Sequence, residues 1–230
     1  MPTVLITGCG QGIGLEFARQ YSADGWEVYA LTRRPVSEAL AGSLPRSVTW
    51  IVADITDRSA LDAATQRLAG RPLDVLVNNA GRHGPRDFGR LDADEWLRVI
   101  RVNTVGSLMV TETFLPAIRA AQGKIAFMSS RGGSIAERGK RPYHQRGGSY
   151  AYRLSKAALN AAAASLAFDL QPDGIQVLVL HPGFITTETS AEPGTDDIGR
   201  NVSLMRGLIR DTPFSGLARF LAFDGEEIPW

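Results

Sequence analysis

The chain has 230 residues, a formal net charge of +1, 44% hydrophobic residues and one cysteine, Cys9. Near-neutrality gives no general attraction to nucleic acid or to an anionic membrane, and a lone cysteine excludes an intramolecular disulfide and fits a reducing compartment. No apolar run approaches the ~20 residues of a membrane span and Met1 stands almost directly before an apolar strand, so the expectation is a soluble cytoplasmic protein without nucleic-acid or membrane partners.

The first predicted strand, 3–7, feeds into Gly8, Cys9, Gly10, Gln11, Gly12, Ile13 and Gly14. A helix over 12–23 follows, with Leu15, Phe17, Ala18 and Tyr21 at helical spacing and Asp24-Gly25 as its stop. Strand, glycine turn and helix together form the context in which a glycine motif points to a dinucleotide. Gly8 can turn the chain, Gly12 lets backbone approach a pyrophosphate, and Gly14 permits close helix–strand packing. The helix N-terminus then offers free N–H groups to phosphates.

A second strand, 27–32, ends on Thr32, Arg33 and Arg34. NAD-using folds usually carry an acid there for the ribose hydroxyls, whereas a guanidinium pairs with a 2′-phosphate. The bland alternative is two solvated loop charges. NADP (NADPH) is therefore expected, with NAD less favoured. The third strand, 48–53, precedes Asp54 and Ile55, and helix 59–69 leads to strand 75–78 and then Asn79, Ala80 and Gly81. A single helix is predicted over 93–121, a strand over 124–129 ending at Ser130, and a helix over 150–170. Strand 176–181 runs into Pro182 and Gly183, and a last short strand lies near 220–223. Apolar strands alternating with amphipathic helices predict one α/β domain, residues 1–230, with a doubly wound, mainly parallel sheet. Ligands in such sheets sit beyond the carboxyl ends of the strands, and Gly8, Arg33, Asp54, Asn79, Ser130 and Pro182 all fall there.

Helix 150–170 carries Tyr152 and Lys156, four residues apart and so on one face. A phenol titrates near ~10. A neighbouring ammonium favours phenolate and brings it towards the range useful for general acid–base work. Tyr150 is a rival, but its fourth following residue is Leu154. Ser129 and Ser134 compete with Ser130, and strand alternation does not decide among them.

These motifs together resemble the short-chain dehydrogenase/reductase family, over nearly the whole chain. Thr7, Gly8, Gly12 and Gly14 match its Thr-Gly-x-x-x-Gly-x-Gly; Asn78, Asn79, Ala80 and Gly81 match its Asn-Asn-Ala-Gly; Tyr152 and Lys156 match its Tyr-x-x-x-Lys. Asn103 and Ser130 match its catalytic asparagine and serine, and Pro182, Gly183 and Thr187 the motif over the nicotinamide. Residues 129–135, 148–152 and 219–230 are similar to C-factor-like and sniffer-type carbonyl reductases. The resemblance implies a Rossmann fold and hydride transfer between NADPH and a small carbonyl or alcohol substrate. It implies Tyr152 as acid, Ser130 on the carbonyl oxygen, Lys156 on the ribose, and Asn103 holding a water that links Lys156 to solvent. It implies Ile13, Ile55, Ile185 and Thr187 as further cofactor contacts, Asp54 on the adenine amino group (or else closing a turn), and a homodimer or homotetramer through the helix whose alanine-rich stretch 157–167 reads as a close-packing face, either intramolecular or against another subunit. Gln11 departs from the basic residue that many NADP-preferring members have.

Other residues receive the bland reading. His83, His144 and His181 are scattered singly and suggest no metal site. Cys9, beside a helix N-terminus where a thiol pKa can fall, reads as a small inert filler. The long basic stretch 136–149, with Arg138, Lys140, Arg141, Tyr143, His144 and Arg146, reads as an exposed loop, with recognition of an acidic substrate as the alternative. A polar lid is expected over 188–213. Small carbonyl compounds or quinones are the default substrates, and a nucleotide-binding signalling protein is the non-enzymatic alternative.

Overall fold

The structure, a computed structural model, describes residues 1–89, 91–140, 147–185, 194 and 196–230. Its strands are β1 (Thr3–Thr7), β2 (Glu27–Thr32), β3 (Val48–Val52), β4 (Val75–Asn78), β5 (Lys124–Met128), β6 (Gln176–His181) and β7 (Arg219–Ala222). They form one sheet in the order β3-β2-β1-β4-β5-β6-β7, every pair parallel. All five residues of β1 are buried, because the sheet is covered on both faces, as a parallel sheet requires. Leu5 belongs to one core with Leu76, Phe127, Phe114 and Leu159. Val4 and Ile6, pointing the other way, join a second core with Phe17, Val77, Val202 and Met205. Each such side chain removed from water contributes about 1.5–3 kcal/mol.

The helices are α1 (Gly12–Ala23), α2 (Glu38–Gly42), α3 (Arg58–Thr65), α4 (Ala93–Ile100), α5 (Ser107–Ala121), α6 (Tyr150–Asp169) and α7 (Ile198–Asp211). Two differences from the sequence expectation matter for the site. The helix predicted over 93–121 is α4 and α5 joined by a π-helical turn, Arg101–Gly106, with Asn103 buried inside it. Such turns re-aim side chains without ending the helix. Within the expected lid, 198–211 is a regular helix, capped by Asp197 accepting the Arg200 N–H at 2.6 Å. It buries Val202, Met205 and Ile209 in the second core.

The chain moves from β1 through β2 to β3, then returns to the other side of β1 with β4. The connections after β1 and β4 therefore diverge at one edge of the sheet, the switch point where such folds form their crevice.

Candidate active site

A cleft of about 1050 Å³ lies along that edge. At one end is the glycine turn. Gly8 has φ +74°, and a Cβ on Gly14 would sit 2.4 Å from the Gly8 carbonyl oxygen, so helix and turn meet backbone to backbone. The turn is braced from β4. Asn79 Nδ2 donates to the Thr7 carbonyl at 2.9 Å, while the Thr7 hydroxyl accepts the N–H groups of Asn79 and Ala80 at 3.0 Å each. The Asn79 amide thus holds protein backbone, although the residue itself also lines the cleft, as do Gly8, Gly12, Ile13, Ala80 and Gly81.

Arg33 and Arg34 line the same end and are exposed. Thr32 Oγ1 donates to the Arg34 carbonyl at 2.8 Å and closes a local turn around Arg33. Asp54 also reaches the cleft, and its Oδ1 accepts both the N–H and the hydroxyl of Thr56 at 2.8 Å, so it closes a turn. Ile55, next to it, is buried beneath the cleft.

At the other end stand Ser130, Tyr152 and Lys156. The first turn of α6 carries Tyr152, and the next turn carries Lys156, whose Nζ lies 5.7 Å from the Tyr152 ring centroid. Nζ donates to the Met128 carbonyl at the end of β5, at 2.7 Å. Burial pushes the Lys156 pKa down to about 8, because the charged form loses hydration. Ser130 accepts the Gly132 N–H at 3.0 Å. Its competitors are committed elsewhere: Ser129 donates to Asn160 Oδ1 at 2.6 Å, and the Ser134 hydroxyl donates to the Pro229 carbonyl at 2.5 Å. Tyr150 stacks on Trp96 at 6.0 Å, outside the cleft lining.

Asn103 does not face the cleft as a lone polar group. Its Oδ1 accepts the Arg82 N–H at 2.8 Å, and its Nδ2 donates to the Arg82 carbonyl and to Ser155 Oγ, both at 2.9 Å. Beside it, a Cβ on Gly81 would lie 3.4 Å from Asn103 Oδ1 and 3.7 Å from Lys156 Nζ, so both groups border the same small space.

Pro182, Gly183 and Ile185 line the far wall. Asn201 Nδ2 donates to the Pro182 carbonyl at 2.8 Å, and the Phe184 N–H donates to Asp196 Oδ2 at 2.8 Å, so α7 and its N-terminal approach support this wall. Thr187 and, from the basic stretch, Arg141, Tyr143, His144 and Arg146 lie outside the described residues. Arg138 and Lys140 are exposed and do not line the cleft. Cys9 is fully buried, donating to the Ile6 carbonyl at 3.1 Å, and burial pushes its thiol pKa up rather than down. His83, Arg86 and Phe184 line the cleft although the sequence reading gave them no role there. The available signal for His83 was its place two residues beyond Asn-Asn-Ala-Gly, at a strand's carboxyl edge.

A seven-stranded, all-parallel, doubly wound sheet with a braced glycine turn at its switch point defines a Rossmann-type fold. The short chain dehydrogenase family profile matches residues 2–197, and the chain belongs to that family. It is 38% identical over 165 residues to C-signal of Myxococcus xanthus, covering 69% of this chain and 93% of that one. Among solved structures, carbonyl reductase Sniffer of D. melanogaster superposes with a TM-score of 0.89 at 28% identity, each chain covered completely. The NADPH-bound carbonyl reductase from chicken fatty liver gives 0.88 at 27% identity, covering 100% of this chain and 99% of that one. No helix among the described residues is long and apolar enough to cross a membrane.

Proposed function

We propose that the protein is an NADPH-dependent reductase of small carbonyl compounds, working reversibly on the corresponding alcohols. What supports the reading is the meeting of Tyr152, Lys156 and Ser130 in the same cleft as the glycine turn and the Arg33–Arg34 pair. The residues fit a dinucleotide. Gly8, Gly10, Gln11, Gly12 and Ile13 line the cleft at the N-terminus of α1, where free backbone N–H groups suit a phosphate, and two exposed guanidinium groups suit a 2′-phosphate. The NADPH-bound relative agrees with this choice. Gly8, Gly12, Ile13 and the Asn79–Gly81 backbone would hold the pyrophosphate half. Asp54 and Ile55 would border the adenine, while Pro182, Gly183, Ile185 and Thr187 would border the nicotinamide. The dinucleotide, when bound, supplies the hydride.

The chain's own residues handle the proton and the developing charge. Tyr152 donates its phenolic proton to the substrate oxygen. Ser130 has its oxygen engaged by the Gly132 N–H, so its own O–H is left to donate to the same substrate oxygen and stabilise negative charge there. Lys156 favours the phenolate that Tyr152 becomes. Asn103, sharing the space beside Gly81 with Lys156, would hold the water through which the proton is replaced. Exposed Leu154 and Phe168 on α6 suit a homodimer or homotetramer through that helix, which sedimentation would reveal.

A second reading, a nucleotide-binding signalling protein with little turnover, draws on the likeness to C-signal. Monitoring NADPH oxidation with aldehydes, ketones, diketones and quinones separates the two. Turnover in at least one class, abolished by Tyr152→Phe, is expected. Tight NADPH binding without turnover in any class would favour the signalling reading.

A further inference from the structure

The imidazole of His83 lies face to face with the phenol of Tyr152, ring centroids 4.2 Å apart and planes 24° from parallel. The loop that carries it is anchored on both sides. Asn103 takes both backbone groups of Arg82, immediately before it, and the Ser149 N–H donates to the Arg86 carbonyl at 2.8 Å, immediately before α6. Between these anchors Gly84 passes close to Val99 and Ala151, where a Cβ would come within 2.7 Å of the Val99 side chain. The backbone that carries His83 is therefore fixed on both sides, and its ring stands in the cleft lining against the phenol.

We propose that His83 is a positioning residue for Tyr152, fixing the orientation of the phenol ring and adding a titratable positive charge beside it at acid pH. The inference rests on the carbonyl-reductase reading. A tyrosine that projects from one turn of a helix can rotate about two torsions. Misplacing a proton donor by about 1 Å can cost roughly a hundredfold in rate. Stacking against a ring carried on an anchored loop restricts that freedom, and offset aromatic contacts of this kind add about 0.5–1.5 kcal/mol. The ring's charge state follows from its surroundings. The charged groups acting on it are Lys156, from α6, and Arg86, from its own loop. Loss of hydration in the cleft, then these two cations, hold its pKa below the ordinary 6.5. Near pH 7 the stack is therefore neutral on the imidazole side. As pH falls through that depressed value, an imidazolium forms against a ring that becomes negative in the transition state for reduction, which favours proton donation.

The test uses His83→Phe, which keeps a flat ring but cannot titrate, and His83→Ala, which removes the ring. Near neutral pH, His83→Ala should lose roughly ten- to a hundredfold in kcat with NADPH affinity unchanged, and His83→Phe should recover most of that loss. The ratio of wild-type to His83→Phe kcat should rise as pH falls below 6.5. A contact measurement independent of turnover accompanies it. The His83 ring-proton NMR signal, identified by its absence in His83→Phe, should lose its ring-current displacement in Tyr152→Leu and keep it in Tyr152→Phe. An unchanged signal in Tyr152→Leu, wild-type kcat in His83→Ala, an equal fall in NADPH affinity and kcat, or a pH-independent ratio would each overturn the inference while leaving the reductase reading standing. Intact ring contact in a protein that reduces no carbonyl would instead bring down the reductase reading, and this inference with it.

Discussion

Lys156 reaches past its own helix to the end of β5, where its Nζ donates to the Met128 carbonyl at 2.7 Å. The same ammonium is 5.7 Å from the Tyr152 ring centroid, so a strand end fixes the charge that acts on the phenol. Because burial brings the Lys156 pKa down to about 8, that charge disappears in mildly alkaline solution. The expected pH profile of kcat/KM for the free enzyme falls above about pH 8 as Lys156 deprotonates. A profile flat to pH 10 would count against this coupling.

The same burial has a thermodynamic consequence with a definite sign. Lys156 titrates near 10.5 when unfolded and about 8 when folded. Between those values the unfolded chain binds the extra proton, so this group's contribution makes stability rise with pH across the window. Below it, the buried charge destabilises the folded protein. Lys156→Met should therefore be more stable than wild type near pH 7, by up to about 3 kcal/mol, with the gap closing as pH approaches 10.5. Urea denaturation of both proteins without cofactor, repeated across that range, measures it. Parallel stability curves would contradict the expectation.

Tyr152→Phe removes a hydroxyl while keeping the ring on His83. Turnover should fall by roughly 10²–10⁴-fold, the usual contribution of a positioned acid, with NADPH affinity retained. Fluorescence titration of the cofactor alongside initial rates separates the two quantities.

Cofactor preference can be examined at Arg33 and Arg34. Losing a charge-assisted contact to a phosphate costs about 1.5–3 kcal/mol, roughly ten- to a hundredfold in affinity. Arg33→Ala should weaken NADPH binding by the lower end of that range, because Arg34 stands beside it, and the double mutant by more. NADH binding should change little. Equal losses for both cofactors would mean that the arginines do not read the 2′-phosphate, and tighter NADH binding in wild type would reverse the assignment.

Gly14→Ala tests the glycine turn by geometry alone. The added methyl would lie 2.4 Å from the Gly8 carbonyl oxygen, and the atom that must yield is backbone. Overpacking of this kind costs typically about 1–3 kcal/mol, and separating α1 from the turn should also weaken dinucleotide binding. A variant with wild-type melting temperature and cofactor affinity would show that the close approach is dispensable.

The sheet was readable because each strand is an apolar run and each connection carries a turn signal at the same edge. Tyr152 was separable from Tyr150 because helical spacing alone pairs only one of them with a lysine. Other features were hidden for physical reasons. The π-helical turn leaves the apolar pattern of 93–121 nearly continuous, so periodicity reads through it and misses the re-aiming of Asn103. Helix α7 does carry its signal, Asp197 as cap followed by Ile198, Val202, Met205 and Ile209 at helical spacing, but it lies within the stretch that reads as a polar lid, and the sequence reading gives it no element of its own. The stacking of His83 on Tyr152 joins positions 69 apart in sequence, a contact that only the sheet order and the anchored loop create.

The carboxamide of Asn103 ties together the loop after β4, the π-helical turn and α6. One of those ties is the backbone amide of Arg82, which donates to Asn103 Oδ1 at 2.8 Å. That single N–H is thus an intrinsic reporter: it can exchange with deuterium when its bond to the π-helical turn opens. Its exchange rate would time the separation of the loop after β4 from the π-helical turn, without any substrate, and distinguish ligands that hold these two segments together from those that merely bind beside them.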